Sequence, residues 1–271
     1  MSNSERPPVL ANPRSDRIRK IAALGGRSVR SRQGRYLIEG PQAVREAVRF
    51  IPQTITDLYA DTAVANPAIA NVMREAEAAS VPTFAASAEV MRAISSDCQG
   101  IAAVAELPLA RGRDQLAATI ANGHLVMCLP QISDPGNLGT LIRIADAAGA
   151  DAVVIGAGSV ELTNPKVIRS SVGSVFHLPI VTDTEFVAAA DRLRAAGYVV
   201  LGADGHASQE LPNVGALQRD RLAWVFGNEA RGLSEAERAA CDELAKVPLR
   251  GHAESLNVAA AAAVCMYSGL A

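Results

Sequence analysis

The pattern of apolar and polar positions predicts alternating strands and helices along the second half of the chain. Short apolar runs alternate there with segments of helical periodicity, and they predict strands at residues 125–129, 152–155, 175–181, 198–202, 222–226 and 244–248. Continuous apolar runs are typical of parallel strands whose two faces are both covered. This half is therefore predicted to be an α/β domain on a mostly parallel sheet.

The first half shows the same alternation on a smaller scale. The pattern predicts a helix at 15–24 that ends at Gly25 and Gly26, a strand at 36–39, a helix after Pro41, a strand at 57–60, a helix at 67–79 and a further αβ repeat through Ala105. This half is predicted to be a smaller α/β domain.

Prolines and charges mark the predicted boundaries. Pro7, Pro8 and Pro13 indicate a disordered lead over residues 1–13, and the segment LPLARGRD at 107–114 indicates a connection between domains. We predict an N-terminal domain at 14–108, a linker at 109–117 and the larger domain at 118–271.

Basic charge is concentrated in one stretch of a chain whose formal net charge is −2. Between Arg14 and Arg35, eight basic residues stand beside the single acid Asp16, so the stretch carries +7 and the rest of the chain −9. Arg27, Arg30 and Arg32 lie in it. Such a stretch is typical of a site for a polyanion such as RNA, and a solvated helix face is the alternative.

Cysteine spacing and hydropathy limit the cellular compartment and the kinds of site that the chain is expected to have. The four cysteines are widely spaced and form no CxxC pair, so neither a zinc site nor a disulfide framework is predicted. No apolar run reaches the roughly 18 residues of a membrane span, and the first residues contain no apolar signal core. We expect a cytoplasmic protein with no metal and no membrane contact.

The first of three informative segments is DPGNLGTLIRIADAAGA at 134–150. Its periodicity predicts a helix with an apolar stripe, Asn137 as the N-cap and Arg143 opposite the stripe. A capping asparagine and a solvent-facing arginine would explain both residues without any chemistry.

The other two segments carry polar groups that their scaffold does not need. FGNEARGLS at 226–234 follows an apolar strand and places Gly227 and Glu229 where ligands bind in open α/β sheets, and a capping box then begins a helix at Ser234. PLRGHAESLNVAAAAAV at 248–264 places Ser255 and Asn257 before an alanine-rich helix. A plain buried helix would explain the alanines but not these two residues.

A basic segment lies between the first two motifs. Asn164 is predicted as an N-cap with Pro165 at the first helical position, and one helix face is predicted to carry Lys166, Arg169, Ser170 and Gly173. Small and basic side chains together let a nucleic-acid backbone approach closely. An exposed amphipathic helix is the alternative.

In this order and spacing, the three segments resemble the motifs of the SpoU/TrmH family, S-adenosylmethionine-dependent RNA ribose 2'-O-methyltransferases of the SPOUT superfamily. The resemblance implies an α/β protein whose C-terminal parallel-sheet domain forms a trefoil knot (an α/β-knot), a homodimer, and RNA as the partner. RYLIEGPQAV and QGIAAVAELP resemble the smaller L30e-like substrate-binding domain of members that act on ribosomal RNA.

The resemblance also implies roles for individual residues. The expected catalytic residues are Asn137, Arg143, Glu229, Ser255 and Asn257. S-adenosylmethionine is the expected cofactor, held near Gly202, Gly227, Val247, Leu249 and Leu256. RNA is expected to contact Arg27, Arg30, Arg32, Lys166 and Arg169. Arg143 is expected mainly to align the target phosphate and the 2'-hydroxyl, and only secondarily to remove the proton, because the high pKa of a guanidinium makes it a poor base.

The expected function is 2'-O-methylation of one nucleotide in structured RNA, with 23S ribosomal RNA preferred and transfer RNA as the alternative. A non-catalytic RNA-binding protein that keeps the knot is a second alternative, and the complete catalytic set counts against it. A Rossmann or flavodoxin-like enzyme is the third, and the missing G-x-G-x-x-G fingerprint counts against that.

Overall fold

The computed structural model of the protein describes residues 8–63 and 66–268, and their contacts divide into two compact units. The first unit contains the chain up to Leu109 together with Leu162–Phe176, and the second contains Ala110–Glu161 and the chain from His177 onward. Leu162–Phe176 therefore packs with the first unit, although its sequence position lies inside the larger predicted domain.

The first part of the chain builds a small mixed sheet with helices. It contains, in chain order, α1 (Asp16–Ala22), α2 (Arg27–Gln33), β1 (Arg35–Glu39), α3 (Pro41–Phe50), β2 (Ile55–Asp61), α4 (Pro67–Ala78), β3 (Thr83–Ala86), α5 (Ala88–Ile94) and β4 (Ile101–Glu106). The strand order is β1-β4-β2-β3, with β4 antiparallel to β1 and β2, and β3 parallel to β2. The predicted α/β character of this half is confirmed.

Two features of this unit differ from the expectation. Helix α2 was not predicted; it begins after Gly26 and ends at Gly34, whose φ of 65° suits glycine. Residues 1–7 of the predicted disordered lead lie outside the described residues. For Leu10 the prediction is wrong, because its N–H donates to the Ala85 carbonyl and its carbonyl accepts from Ser87, in a bridge beside β3.

The second part of the chain alternates strands and helices as the pattern predicted. It contains α6 (Leu116–Ile120), β5 (Leu125–Leu129), α7 (Pro135–Ala147), β6 (Ala152–Gly156), α8 (Pro165–Ser171), β7 (Ile180–Thr184), α9 (Phe186–Ala195), β8 (Val199–Ala203), β9 (Gln209–Glu210), β10 (Leu222–Phe226), α10 (Glu235–Ala239), β11 (Glu243–Lys246) and α11 (Val258–Ser268). Of these, α8 belongs to the first unit.

The sheet of the second unit is parallel throughout its described strands. Its order is β7-β6-β5-β10-β8-β11-β9, and each neighbouring pair is parallel. Residues such as Val126, Val200 and Val225 are completely buried, as expected for strands covered on both faces. The predicted α/β fold with a mostly parallel sheet is confirmed, while the trefoil knot stays a prediction. Within the described residues, no helix is long and apolar enough to cross a membrane.

The strand predicted at 175–181 is largely wrong. Ser174–Phe176 forms a short 3-10 helix, and the strand begins only at Ile180, directly after Pro179, which has no N–H to donate to a ladder. The predicted linker at 109–117 is also more ordered than expected, because Arg111 forms a parallel bridge with Val181 and α6 begins at Leu116.

Strand order determines which loops can meet. In a parallel sheet the carboxyl ends of all strands lie at one edge, and β5, β10, β8 and β11 are consecutive neighbours. The segment 134–150 follows β5, the segment 226–234 begins in β10, and the segment 248–264 follows β11. The three motif segments therefore emerge at the same edge of the sheet.

Arg30 has a structural place inside the first unit. It is 2% exposed, and its guanidinium donates to the carbonyls of Leu24 (3.0 Å) and Gly25 (2.8 Å). These bonds tie α2 to the end of the preceding helix. The expectation that Arg30 contacts RNA is therefore not supported by its position, because a buried side chain cannot reach a phosphate.

We predict that Arg30→Ala lowers the free energy of unfolding by about 2–4 kcal/mol, because it removes a buried side chain and leaves the buried Leu24 carbonyl without its charged donor. The exposed Arg32 of the same helix is the matched control, and Arg32→Ala should stay within about 0.5 kcal/mol of the wild type. Chemical denaturation followed by far-ultraviolet circular dichroism measures both. Equal stability of the two variants would contradict this role for Arg30.

Candidate active site

Glu229 is the hydrogen-bond centre of the loop that follows β10. Its carboxylate accepts from the backbone N–H groups of Ser133 (3.2 Å) and Asp134 (3.0 Å) and from the side-chain amide of Asn137 (3.3 Å). The amide of Asn228 donates to the same carboxylate (3.3 Å) and to Ser133 Oγ (3.1 Å). The first and second motifs are therefore fastened together through one carboxylate.

Asn257 joins the third motif to the first. Its side-chain N–H donates to Asn137 Oδ1 at 3.1 Å, and its own Oδ1 accepts from the N–H of Ala259 (2.9 Å) at the start of α11. Asn137 thus donates to Glu229 and accepts from Asn257. Three of the five predicted catalytic residues form one continuous chain of hydrogen bonds.

The predicted capping role of Asn137 is wrong. The N-cap of α7 is Asp134, whose Oδ1 accepts from the Asn137 N–H at 2.8 Å, with Pro135 at the first helical position. The sequence DPGN offered two capping side chains, and the proline fixed the helix start at the earlier one. As a consequence the side chain of Asn137 is available for the other two motifs.

The hydrogen bonds set the charge state of Glu229. Burial alone would raise its pKa, but three backbone N–H groups, including those of Ser133 and Asp134, and the Asn137 amide outweigh burial and lower the pKa below its ordinary value. A carboxylate with a lowered pKa stays ionised at neutral pH and is a weak base. The geometry therefore gives Glu229 the role of an anchor for the loop rather than that of a proton acceptor.

A cavity of about 360 Å³ opens beside this network at the carboxyl ends of β8, β10 and β11. Its apolar wall includes Phe226, Leu233 and Val258, and its polar wall includes Asp204, Arg231 and Glu254. Among the residues expected to hold a cofactor, the cavity is lined by Gly227, Val247, Leu249 and Leu256, and Ser255 and Glu229 of the catalytic set also line it.

The two glycines predicted to hold the cofactor have different surroundings. A Cβ on Gly227 would lie 2.3 Å from the Gly232 carbonyl carbon, so glycine is needed for the tight loop in which Asn228 and Gly232 bridge. Gly202 lies in β8 one residue before Ala203, which does line the cavity. A Cβ on Gly202 would meet the side chains of Leu244 and Cys241, so this glycine serves core packing.

Two ion pairs that the sequence did not reveal support the cavity wall. Arg238 pairs with Asp204, whose side chain is 5% exposed, and Arg231 pairs with Glu237 at 2.9 Å. Glu237 also completes the capping box with Ser234, as predicted. The sequence could not reveal the Arg238–Asp204 pair, because the partners lie far apart in the chain and meet only across β8 and α10.

Arg143 lies on the exposed face of α7, outside the hydrogen-bond chain. Within the described residues its guanidinium has no hydrogen-bond or ion-pair partner. One turn further along the helix, the carbonyl of Ala147 accepts a bond from the Tyr267 hydroxyl (2.9 Å) of α11. Tyr267 is 50% exposed and Val264, one turn before it, is 45% exposed. Arg143 therefore lies one turn from the contact between α7 and α11, and we call the exposed residues Arg143, Val264 and Tyr267 the α7–α11 surface.

The residues expected to bind RNA do not form a single group. Arg27 and Arg32 are exposed on α2, and Lys166 is exposed on α8, which Asn164 caps as predicted. Arg169 instead pairs with Glu39 (2.6 Å), a carboxylate that is 5% exposed, and with Asp97 (3.0 Å). The guanidinium of Arg169, which was expected to bind RNA phosphates, is thus paired with two acidic residues of the first unit.

Gly173 does not share the helix face of Lys166. Helix α8 ends at Ser171, and Gly173 has a φ of 99°. A Cβ at this position would lie 2.4 Å from Cγ of Glu46. Gly173 therefore permits the close approach of Leu162–Phe176 to α3 rather than the approach of a nucleic acid. Among the described residues, no group of three or more His, Cys, Asp or Glu side chains is arranged to hold a metal ion.

Comparison with known proteins gives two matches to families. The model of the SpoU rRNA Methylase family matches residues 124–267, and the model of the MRM3-like substrate binding domain matches residues 15–103. The two matched ranges fall on the second and first parts of the chain.

Individual relatives match nearly the whole chain. The Bacillus subtilis (strain 168) protein named 23S rRNA (guanosine(2553)-2'-O)-methyltransferase RlmP is 33% identical over 95% of this chain and 97% of its own. The Bordetella pertussis (strain Tohama I) 23S rRNA (guanosine-2'-O-)-methyltransferase RlmB is 31% identical over 86% of this chain and 96% of its own. The crystal structure of the SpoU methyltransferase AviRb from Streptomyces viridochromogenes in complex with AdoMet has a TM-score of 0.79 and 28% identity, covering 94% of this chain and 98% of that chain.

We predict that Glu229→Gln removes part of the acid sensitivity of folding. A carboxyl whose folded pKa is lowered adds stability above its unfolded pKa, near 4.5, and this stability is lost as the pH falls through the folded value. The wild type should therefore lose more stability than Glu229→Gln between pH 7 and pH 3.5. Denaturant unfolding at both pH values measures the difference.

The exposed Glu77, whose carboxylate accepts no hydrogen bond in the described part of the chain, supplies the control. Glu77→Gln should keep the wild-type pH dependence. If Glu229→Gln and Glu77→Gln respond to acid alike, the hydrogen bonds to Glu229 do not hold its carboxylate in the charged form.

Proposed function

Since the chain belongs to the SpoU rRNA methylase family, we propose that it transfers a methyl group from S-adenosylmethionine to the ribose 2'-hydroxyl of one nucleotide in 23S ribosomal RNA. The observation that carries the proposal is the convergence of three motif segments, joined through Glu229, Asn137 and Asn257, beside one cavity. The named relatives act on 23S ribosomal RNA, which favours this substrate over transfer RNA. We also propose a cytoplasmic location, which agrees with a ribosomal RNA substrate.

The cavity fits the proposed cofactor. Leu249 and Leu256 expose 39% and 41% of their surface at its wall, and apolar side chains of this kind can cover an adenine ring. Glu254 lines the wall without an ion-pair partner among the described residues and offers negative charge to the sulfonium and ammonium groups. The charges of Asp204 and Arg231 are already compensated by Arg238 and Glu237. When bound, the cofactor supplies an electrophilic methyl group.

The residues of the chain provide position and charge for the transfer. Much of the acceleration of a methyl transfer comes from alignment, since two reactants held in place no longer need to find each other. The hydrogen-bond chain through Asn137 fixes the loops that line the site, and Ser255 lies at the cavity wall. Arg143, whose guanidinium has no partner among the described residues, is suited to hold the phosphate beside the target ribose.

We also propose that the protein acts as a homodimer through the α7–α11 surface. Val264 and Tyr267 present an exposed apolar stripe on α11, and Tyr267 is bonded to the same helix that carries Arg143. Two copies related by a two-fold axis would bury the same stripe on each chain. Because Arg143 lies outside the hydrogen-bond chain of its own subunit, such pairing gives it a place at the site of the partner.

The non-catalytic alternative loses its main support from this geometry. A protein that only binds RNA would not need Glu229, Asn137 and Asn257 to be fastened beside an open cavity. A methylation assay distinguishes the catalytic function from non-catalytic RNA binding directly.

We predict methylation of RNA and none of DNA, because the proposed acceptor is the 2'-hydroxyl that DNA lacks. The purified protein is incubated with methyl-labelled S-adenosylmethionine and a 23S ribosomal RNA transcript or its DNA copy. Label should enter the RNA only and should survive alkaline hydrolysis within a dinucleotide, as expected for a methylated ribose. Label in a base, or equal labelling of the DNA copy, would refute the proposal.

We predict that Arg143→Ala lowers the rate of methylation by about 100-fold or more, because it removes a charged group from the reaction site. Cofactor affinity should stay within about twofold, because Arg143 does not line the cavity. A loss of about 1.4 kcal/mol of binding energy would already weaken the affinity tenfold. The single tryptophan, Trp224, stacks on the cavity residue Phe226 and offers a fluorescence signal for cofactor binding. Arg219→Ala, at an exposed arginine of the same unit, is the matched control.

Mixed dimers test where Arg143 acts. A subunit carrying Arg143→Ala is combined with one carrying Glu229→Gln, which we also expect to lower the rate because it weakens the anchor of the loop beside the cavity. Each variant is assayed alone for comparison. If Arg143 serves the partner, the mixed dimer regains one intact site and therefore activity. If the mixture shows no more activity than either variant alone, Arg143 does not act in the site of the partner. If sedimentation shows only the 28.2 kDa monomer, the dimer proposal fails.

A further inference from the structure

A second cavity lies in the first unit and is not part of the site described above. Its volume is about 200 Å³, and its wall contains three basic residues, Arg17, Lys20 and Arg35. All three belong to the basic stretch of the sequence. Arg27 and Arg32, which the sequence singled out for RNA, do not line it.

Arg17 is a fixed part of the wall. Its guanidinium lies 3.9 Å from the ring centre of Phe84, its Nε donates to the Tyr59 hydroxyl (2.7 Å), and its Nη2 donates to Asp57 (2.7 Å). Asp57 compensates the charge of Arg17. The contacts leave this arginine little freedom, so it shapes the cavity more than it attracts a ligand.

Lys20 and Arg35 supply the uncompensated charge. Both side chains are exposed, and neither forms a hydrogen bond or an ion pair with any residue that the structure describes. The nearby acid Asp16 pairs with Arg19, and Glu106, which stands opposite Arg35 in the β1–β4 ladder, makes no ion pair with it. The mouth of the cavity therefore carries two positive charges directed at solvent.

The floor of the cavity is apolar. Ile21, Leu24 and Val104 line it and are 7%, 1% and 1% exposed. The Gln33 amide adds a hydrogen-bonding group at its wall, whereas the hydroxyl of the buried Tyr59 already accepts from Arg17. A ligand that suits this arrangement has a flat, largely apolar part with polar edges and an anionic group attached to it. A nucleotide has this chemistry.

We propose that this cavity binds one unstacked nucleotide of the RNA substrate, with the base over the apolar floor and the phosphate at Lys20 and Arg35. The inference rests on the proposed function, since it adds to it the place where the first unit holds the RNA. Bases that leave the stack are the usual targets of sequence-specific RNA recognition, and cations at the backbone supply the affinity.

The test compares the full-length protein with Lys20→Ala/Arg35→Ala and with Arg92→Ala. Arg92 is an exposed arginine of the same unit that does not line the cavity. Binding of a fluorescent 23S ribosomal RNA fragment should weaken by about tenfold for each lost phosphate contact. The slope of log affinity against log salt should fall by about 0.7–0.9 per contact in the double variant, and Arg92→Ala should stay near the wild type.

Photo-crosslinking tests the position of the base. RNA that contains 4-thiouridine should crosslink to the peptide around Ile21 and Leu24 or to that around Tyr59, and the double variant should lose these crosslinks. Crosslinks elsewhere, or a double variant that binds RNA like Arg92→Ala, would overturn the inference. Binding of free adenosine or guanosine monophosphate is measured in parallel. If the double variant loses this binding but still binds RNA like the wild type, the cavity binds mononucleotides and not the RNA substrate, and the inference is overturned.

The outcomes separate this inference from the proposed function. If the wild type methylates RNA and the double variant binds and methylates it equally well, the cavity has no part in RNA binding and the proposed function stands. If the wild type binds RNA with the expected crosslinks but transfers no methyl group, the proposed function fails and the nucleotide site stands.

Discussion

The hydrogen bonds that converge on Glu229 are the constraint on which the rest of the site depends. Neighbouring parallel strands β5 and β10 bring the loop that begins α7 and the loop that carries Glu229 to one edge of the sheet. The carboxylate then accepts from backbone N–H groups of the first loop, which have few other acceptors at a helix start. Asn137 extends the link to Asn257 and so to α11. One ionised side chain thereby joins segments whose bonded residues lie 92 to 96 positions apart in the chain.

The polar residues of the site fall into two groups: those that fix the loops and those that stay open to a ligand. Glu229, Asn137 and Asn257 satisfy one another, so their positions are fixed before any ligand arrives, and preorganised groups lose little energy on reorganisation during a reaction. Ser255 and the leucines at the cavity wall stay open to a ligand. Arg143 remains charged and without a partner in the described residues, beside an exposed apolar stripe. Its guanidinium is exposed to solvent and is therefore open to the proposed anionic substrate and to the proposed second subunit.

The sequence predicted the parts of this structure that repeat along the chain. Strands such as β5 and β10 were found because their apolar runs are continuous, and the capping box at Ser234 because its signal is local. The sequence did not predict hydrogen bonds and ion pairs between residues that lie far apart in the chain. Nothing near Arg30 in the sequence separates it from Arg32, yet one is buried against the Leu24 carbonyl and the other faces solvent. Likewise Arg169 looks like an RNA ligand until the fold brings Glu39 to it from 130 positions away. The sequence motifs predicted that Asn137, Glu229 and Asn257 lie in one site. The structure added that these three residues fix one another by hydrogen bonds.

The most direct test of the account is a map of ribose 2'-O-methylation across the 23S ribosomal RNA of the cells that make this protein. The map is recorded from cells with the intact gene, from cells in which it is deleted, and from deleted cells that carry the Arg143→Ala or the Arg219→Ala gene. The account predicts one methylated ribose that disappears on deletion, returns with Arg219→Ala and stays absent with Arg143→Ala. Identical methylation maps with and without the gene would contradict it.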